Sequence, residues 1–250
     1  TKVCKQQALL FGEEKIWGID RSKCIGCTQC VEACPSEAIK RWGEHMTVEE
    51  VMKVIEKDRK YYERSGGGMT VSGGDPLVQH EFTRELLKAS REAGIHTCLE
   101  STFYADWDIV ADTVQYADLL ISDVKHMDSE IHKKYTGMGC EQILDNLAHL
   151  AREGHEMILR IPVIPGINDD MENITRTADF LESQIGSSLR TLQLLSFMRM
   201  GEEKCASLGR PYEMKDLEFD REEFQKKVEG IADYFNSRGI HCVVGTKEKE

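Results

Sequence analysis

The chain has 250 residues, enough for one large α/β domain with a small insert and an ample core. Its 32 Lys plus Arg against 44 Asp plus Glu give a net charge of −12, which argues against nucleic acid as a main partner. No apolar run approaches the ~20 residues of a membrane span, and the expectation is a cytoplasmic protein with no signal peptide and no membrane partner.

Five of the nine cysteines fall within the first 34 residues and mark a site, not a disulfide framework; Cys98, Cys140, Cys205 and Cys242 are scattered singly, as ordinary thiols of a reducing cytosol. Residues 1–45 read as an iron–sulfur module of loops, with short strands at 8–11 and 15–20. At its centre, Cys24-Ile25-Gly26-Cys27-Thr28-Gln29-Cys30-Val31-Glu32-Ala33-Cys34-Pro35 reads C-x2-C-x2-C-x3-C-P, the run with which bacterial ferredoxins hold 4Fe–4S clusters. Cysteines at two-residue gaps let one loop wrap a cubane, Gly26 tolerates a left-handed backbone, and Pro35 stops the coil. Zinc or buried thiols are the alternative, but zinc ribbons want two separated C-x2-C pairs.

In two-cluster ferredoxins the last cysteine of each run ligates the other cluster, so the first three need a fourth ligand from elsewhere. Cys4 supplies a candidate, because Val3-Cys4-Lys5-Gln6-Gln7-Ala8-Leu9 parallels Ala33-Cys34-Pro35-Ser36-Glu37-Ala38-Ile39. The expectation is one complete cluster on Cys4, Cys24, Cys27 and Cys30. Cys34 then belongs to a second cluster whose other ligands precede Thr1, and the chain begins in the middle of a motif.

Residues 46–250 change character. Thr47 with Glu50 reads as a capping box opening a helix through 64, ended by Ser65-Gly66-Gly67-Gly68. Strand, loop and amphipathic helix then repeat: strands at 69–72, 95–100, 119–123, 157–161, 189–196 and 240–244. Helices are expected at 80–93, 106–116, 129–135, 141–153, 171–184 and 221–238, with an irregular stretch from 197 to 217. Such alternation implies a parallel sheet, doubly wound or a barrel, with chemistry at the C-terminal ends of the strands.

Those ends carry the candidate residues. Ser72-Gly73-Gly74-Asp75-Pro76 offers a backbone that a ligand can approach closely and an acid that can accept from an ammonium, although a Gly-Gly pair also makes ordinary tight turns. Glu100-Ser101-Thr102 offers oxygen ligands. Alternation points Asp123 and Lys125 to one side, suited to a ribose or carboxylate and a cation, or to a surface ion pair. Arg160 in the apolar run Met157-Ile158-Leu159-Arg160-Ile161-Pro162 needs a partner or a function, because an unpaired buried charge is costly.

From about Cys4 to Val244 the chain resembles the glycyl-radical-enzyme activating enzymes, the pyruvate formate-lyase activase-like members of the radical S-adenosylmethionine (SAM) superfamily. The resemblance rests on residues 65–77, on Gly94-Ile95-His96-Thr97-Cys98-Leu99-Glu100, on Asp123-Val124-Lys125, and on Arg160-Ile161-Pro162-Val163-Ile164-Pro165-Gly166 with Asn168-Asp169 and Leu194-Leu195. The cysteine run resembles the insert of the subset that carries two extra clusters, seen in activases of glycerol dehydratase, benzylsuccinate synthase and arylacetate decarboxylases. The fold implied is a partial (β/α)6-type radical SAM barrel, its first βα unit missing, with a small ferredoxin-like insert at the N-terminus.

The same resemblance implies SAM bound at Gly73, Gly74, Asp75, Glu100, Ser101, Asp123, Val124, Lys125 and Arg160. Asp123 and Glu100 would flank a monovalent cation. A reduced 4Fe–4S cluster would cleave SAM to a 5′-deoxyadenosyl radical that takes hydrogen from the glycine loop of a partner glycyl radical enzyme. Electrons would come from a donor such as flavodoxin or ferredoxin. Three departures stand out. Asp75 occupies the family's usual Glu position. Leu194-Leu195-Ser196-Phe197-Met198 replaces Leu-Leu-Pro-Tyr-His, so Met198 stands in place of the usual His. The C-x3-C-x2-C run of the SAM-cleaving cluster does not occur in the sequence; the expectation is that it lies upstream of Thr1 and that the chain alone is inactive. A ferredoxin-type electron carrier on a vestigial barrel, and a radical SAM enzyme acting on a small molecule, are the competing readings.

Overall fold

The computed structural model describes residues 3–12, 16–41, 43–208 and 210–245. The chain divides into two compact units, Thr1–Thr47 and Val48–Glu250.

In the first unit, β1 (Leu9–Phe11) pairs antiparallel with β2 (Ile16–Ile19). The expected start of that second strand at residue 15 lies outside the described residues. A one-turn helix, α1 (Gln29–Glu32), forms inside the cysteine run, where only loop was expected. Thr28 opens it in the left-handed region at φ 59. Ala8 is the one buried side chain among the described residues of this unit.

The second unit opens with α2 (Val48–Ile55) and α3 (Arg59–Ser65), separated by a 3-10 turn at Glu56–Asp58. The single helix expected over 47–64 is thus broken. At the break, Arg59 pairs with Glu56 and donates to the Ala93 carbonyl at 3.0 Å, tying the joint to the following layer. Gly66, at φ 67, closes α3.

The repeating part runs β3 (Gly68–Val71), α4 (His80–Glu92), β4 (His96–Glu100), α5 (Trp107–Val114), β5 (Leu119–Asp123), α6 (Ser129–Thr136) and α7 (Glu141–Arg152). It continues with β6 (Met157–Val163), α8 (Met171–Phe180), β7 (Leu189–Ser196), α9 (Glu202–Ser207), α10 (Arg221–Ser237) and β8 (Cys242–Val244). Asp128, Asp170 and Asp220 start α6, α8 and α10 as N-caps, each accepting from a backbone N–H three residues on. Beyond Phe180 the helix expected to 184 widens into a π turn, Leu181–Ile185. The stretch expected to be irregular contains α9.

All six strands are parallel, in the order β3-β4-β5-β6-β7-β8. A doubly wound sheet needs a reversal of strand order, and this one has none. With right-handed crossovers, an unreversed order stacks the helices on one face and curls the sheet like part of a barrel. The core lies on that face: on β6, Met157, Leu159, Ile161 and Val163 are buried while Ile158, Arg160 and Pro162 point to the other side. Half-polar strands are expected where one face of a parallel sheet lines a ligand space and not a second helix layer.

Candidate functional site

Two groups of residues are brought together, one in each unit. In the first unit Cys4, Cys24, Cys27 and Cys30 line a cavity of about 110 Å³, and Cys34 does not. Cys4 and Cys34 nevertheless sit in matching local structures. Gln7 donates to the Cys4 carbonyl at 3.1 Å and Glu37 to the Cys34 carbonyl at 3.2 Å. Both donors are non-glycine residues in the left-handed region, at φ 52 and φ 51. The Cys4 sulfur accepts from the Ala8 amide at 3.3 Å, which holds its pKa below the ordinary thiol value. Cys34 lies 3.6 Å from the Ser36 hydroxyl, which lowers its pKa likewise.

The two seven-residue stretches that match in sequence therefore match in backbone shape. Among the described residues no three His, Cys, Asp or Glu side chains converge as a single metal ion requires. A cubane asks for something else: each cysteine takes its own iron, so the sulfurs ring a volume. The four cysteines around one cavity fit that demand.

The second group gathers where β3, β4, β5 and β6 end. Gly73 and Gly74 have φ 93 and φ 59, conformations that L side chains rarely adopt. A Cβ on either would meet no protein atom within 4 Å, so the space before this turn is open to a ligand. Beneath the turn Asp75 acts as a staple. Its Oδ1 accepts from the Leu77 amide at 3.0 Å and the Ser101 hydroxyl at 2.8 Å; its Oδ2 accepts from the Thr102 amide at 3.0 Å and from the Thr102 hydroxyl. A carboxylate offers about four lone-pair positions, and four donors fill them. The acid read as an acceptor for an ammonium is spent on joining the glycine turn to the end of β4.

Past Thr102, Phe103 is fully buried with φ 53. A bulky residue held there stores strain of order 1–3 kcal/mol, and its surroundings must over-determine it. The Asn146 amide does so, donating to the carbonyls of Phe103 at 2.8 Å and Ala105 at 2.9 Å.

Asp123 and Lys125 do share a side of their strand end, joined by an ion pair of 2.7 Å, with Val124 turned into the core between them. Each of the pair is about one-third exposed, so most of its worth lies in what it presents to a ligand. Arg160 crosses to Glu100, Nη1 to Oε1 at 3.1 Å, and its Nε donates to Gln193 Oε1 at 3.1 Å. The guanidinium that sequence reasoning found costly is thus paired from both flanks, and Glu100 serves as its counter-charge.

A cavity of about 100 Å³ is lined by Gly74, Glu100, Ser101, Thr102, Ser122 and Asp123. The Ser122 hydroxyl is buried there with no hydrogen-bond partner among the described residues. A larger space of about 490 Å³, lined in part by Asp75, Thr102, Asp123 and Lys125, adjoins it. The oxygen-rich wall of the smaller cavity, the apolar side of the larger one at Leu77, Val78, Met138 and Ile143, two exposed-backbone glycines and a paired carboxylate and ammonium suit a zwitterionic ligand that also carries a less polar part.

The radical SAM superfamily model matches residues 22–178. Over 249 residues the chain is 56% identical to the (2S)-3-sulfopropanediol dehydratase activating enzyme of Klebsiella oxytoca, covering 99% of this chain and 78% of that protein. It belongs to the glycyl-radical-enzyme activating enzymes of the radical SAM superfamily. The isethionate sulfite-lyase activating enzyme of Nitratidesulfovibrio vulgaris is 38% identical, over 90% of this chain and 73% of that protein. Among solved structures, a domain of pyruvate-formate lyase-activating enzyme from Bacteroides vulgatus aligns with TM-score 0.58 and 29% identity, over 72% of this chain and 99% of that one. Family membership brings a 4Fe–4S cluster, SAM and a glycyl radical enzyme as partner. Among the described residues no helix is long and apolar enough to cross a membrane.

Sequence reasoning passed over several residues of this candidate site. Gln193 is buried and opposite Arg160 in the β6–β7 register; an amide inside the run Leu192-Gln193-Leu194 was the available signal. Asn168, quoted only as part of the family match, donates to the carbonyls of Lys125 at 2.9 Å and Pro162 at 2.8 Å, and accepts from Ile164 at 2.7 Å. It fastens the loop carrying Lys125 to the end of β6. Asn146 gave no local signal, since its partners lie more than 40 positions away.

Proposed function

We propose that the turn at Gly73-Gly74, open in front and stapled from behind by Asp75, orients the amino-acid end of SAM, with Asp123, Lys125 and Arg160 along the same rim. The observation that carries this reading is the pair of left-handed glycines facing empty space beside the Asp123–Lys125 ion pair. When bound, the reduced 4Fe–4S cluster and SAM supply a 5′-deoxyadenosyl radical able to take hydrogen from a glycine Cα. The protein's contribution is placement and charge. Gly73 and Gly74 let backbone reach the ligand, Lys125 offsets a carboxylate, Asp123 accepts from an ammonium or ribose hydroxyl, and Glu100 holds the Arg160 guanidinium in the rim. Asp123 and the unpartnered Ser122 hydroxyl support a monovalent cation in the smaller cavity.

In the first unit Cys4, Cys24, Cys27 and Cys30 hold one ferredoxin-type 4Fe–4S cluster, supported by their common cavity, and Cys34 is kept for a second. None of these cysteines has the C-x3-C-x2-C spacing, so the chain by itself does not cleave SAM. The partner is a glycyl radical dehydratase of the 3-sulfopropanediol type, supported by the 56% identity to that activase.

Two experiments test this. In a protein that joins this chain to a C-x3-C-x2-C segment, Gly74→Val and Lys125→Ala should each weaken SAM binding at least tenfold in a titration. That corresponds to the ~1.5–3 kcal/mol of a charge-assisted contact. Unchanged affinity in both would move the site elsewhere. The same protein should raise a glycyl-radical electron paramagnetic resonance signal on a sulfopropanediol dehydratase and not on an isethionate lyase; the opposite preference would reject the partner.

A further inference from the structure

Between β5 and α6 the turn at residues 124–128 carries Lys125, and it is fastened at several points. The Val124 amide donates to the Arg160 carbonyl at 2.8 Å, and Asn168 donates to the Lys125 carbonyl at 2.9 Å. From α8, Asn173 accepts from the Met127 amide at 2.9 Å and Arg176 donates to the Met127 carbonyl at 2.8 Å. The last fastener comes from inside the turn. The Asp128 amide donates to His126 Nδ1 at 2.9 Å, and Asp128 in turn caps α6 through the Ile131 amide.

A backbone amide can only donate, so Nδ1 offers its lone pair and the ring proton sits on Nε2. That nitrogen is buried with no hydrogen-bond partner among the described residues. His126 is 6% exposed and lines a cavity of about 170 Å³ together with Lys125, His132, Tyr135 and Met214. Burial pushes its pKa below the ordinary histidine value against the pull of Asp170 and Asp128, and Arg176 adds to the lowering. Charging the ring would set one N–H against the Asp128 amide and leave the other without an acceptor. Among these fasteners only His126 can change charge near neutral pH.

We propose that His126, as the neutral Nε2–H tautomer, is the positioning residue that keeps Lys125 at the rim, so that acid releases the turn and with it the hold on the ligand. The proposal rests on the reading of Lys125 given above and adds what places that residue. The direction is set by burial. The contact is intact above the ordinary histidine value of about 6.5 and is lost as pH falls through the lower value of the folded protein.

The test uses the protein that joins this chain to a C-x3-C-x2-C segment, its clusters assembled anaerobically and its histidines labelled with nitrogen-15. Near neutral pH the His126 ring should carry its proton on Nε2 alone. It should gain charge only below about pH 6.5, with the Asp128 amide shifting in step. In a SAM titration near neutral pH, His126→Phe should weaken binding about fivefold, the worth of one neutral hydrogen bond. His126→Asn places Oδ1 where Nδ1 stands, so it should restore binding and leave the Asp128 amide unmoved by acid.

A proton on Nδ1, or a charge gained at or above the ordinary value, would overturn the proposal. So would equal SAM affinity in the parent, His126→Phe and His126→Asn, whatever their melting temperatures, with Lys125→Ala weakened; His126 would then only hold the fold. If Lys125→Ala also binds SAM as the parent does, the reading of Lys125 fails first and takes the proposal with it. Where His126→Phe does not fold, the tautomer and His126→Asn decide.

Discussion

The two units are held together by different means. Residues 48–250 enclose a continuous core running from Met69 to Cys242, with Leu87, Leu99, Leu147, Leu159 and Phe235 wholly excluded from solvent. Residues 3–47 bury only Ala8 among those described, and their hairpin is short. A two-stranded hairpin on its own is marginal in water. The larger unit is therefore held by packing, the smaller by whatever its cysteines bind. Where a site assembles only on folding, metal-binding energy becomes folding energy.

The largest test of that contrast is removal of the iron. Anaerobic chelation should abolish hydrogen-exchange protection across residues 3–41, while amides of β3 to β8 keep theirs. Retained protection in the apo protein would mean that the cysteine loops fold unaided. Cys4→Ala should likewise lose most of the iron and Cys34→Ala little; the reverse pattern would mean that the run closes on its own cluster.

The converse test is Leu159→Ala, at the middle of the sheet. Removing so buried a side chain costs ~2–5 kcal/mol, seen as a lower midpoint in denaturant with iron content unchanged. A parallel loss of iron would show that the two units do not stand on separate supports.

A smaller effect probes the rim, where polar staples replace core. Asp75→Ala leaves four donors without their acceptor, at ~1–3 kcal/mol for those that water cannot reach. It should weaken SAM binding more than it lowers the melting temperature. Gln193→Leu should do less, releasing only the Nε side of Arg160. If Asp75→Ala leaves SAM affinity intact, the glycine turn holds its shape without the staple. Smallest of all, Lys53→Ala breaks the exposed Lys53–Glu49 pair on α2 and should leave the melting temperature unchanged.

What the sequence revealed follows the same division. Period and punctuation announced the strands and helices of the sheet unit, since the alternation of strand and helix patterns and the stop at Ser65-Gly66-Gly67-Gly68 act within a few residues of themselves, whereas the capping aspartates came to light only in the structure. The four-cysteine grouping was legible because metal spacing and internal repetition are one-dimensional facts. The part played by Asp75 was not, because Ser101 and Thr102 lie 26 and 27 positions away. Nor could periodicity foresee the break at Glu56–Asp58, which answers to a carbonyl 34 residues on. The choice between a doubly wound sheet and part of a barrel stayed open until strand order was known.

That order bears on how the molecule is made. In β3-β4-β5-β6-β7-β8 every strand's neighbour is also the next strand along the chain. Each new βα pair can close against an edge already present, bringing together only the residues of its own connection, so the loop-closure entropy stays small at every step. Assembly can then keep pace with synthesis from the N-terminal side. The three-residue β8, laid beside β7 and backed by α10, is added last.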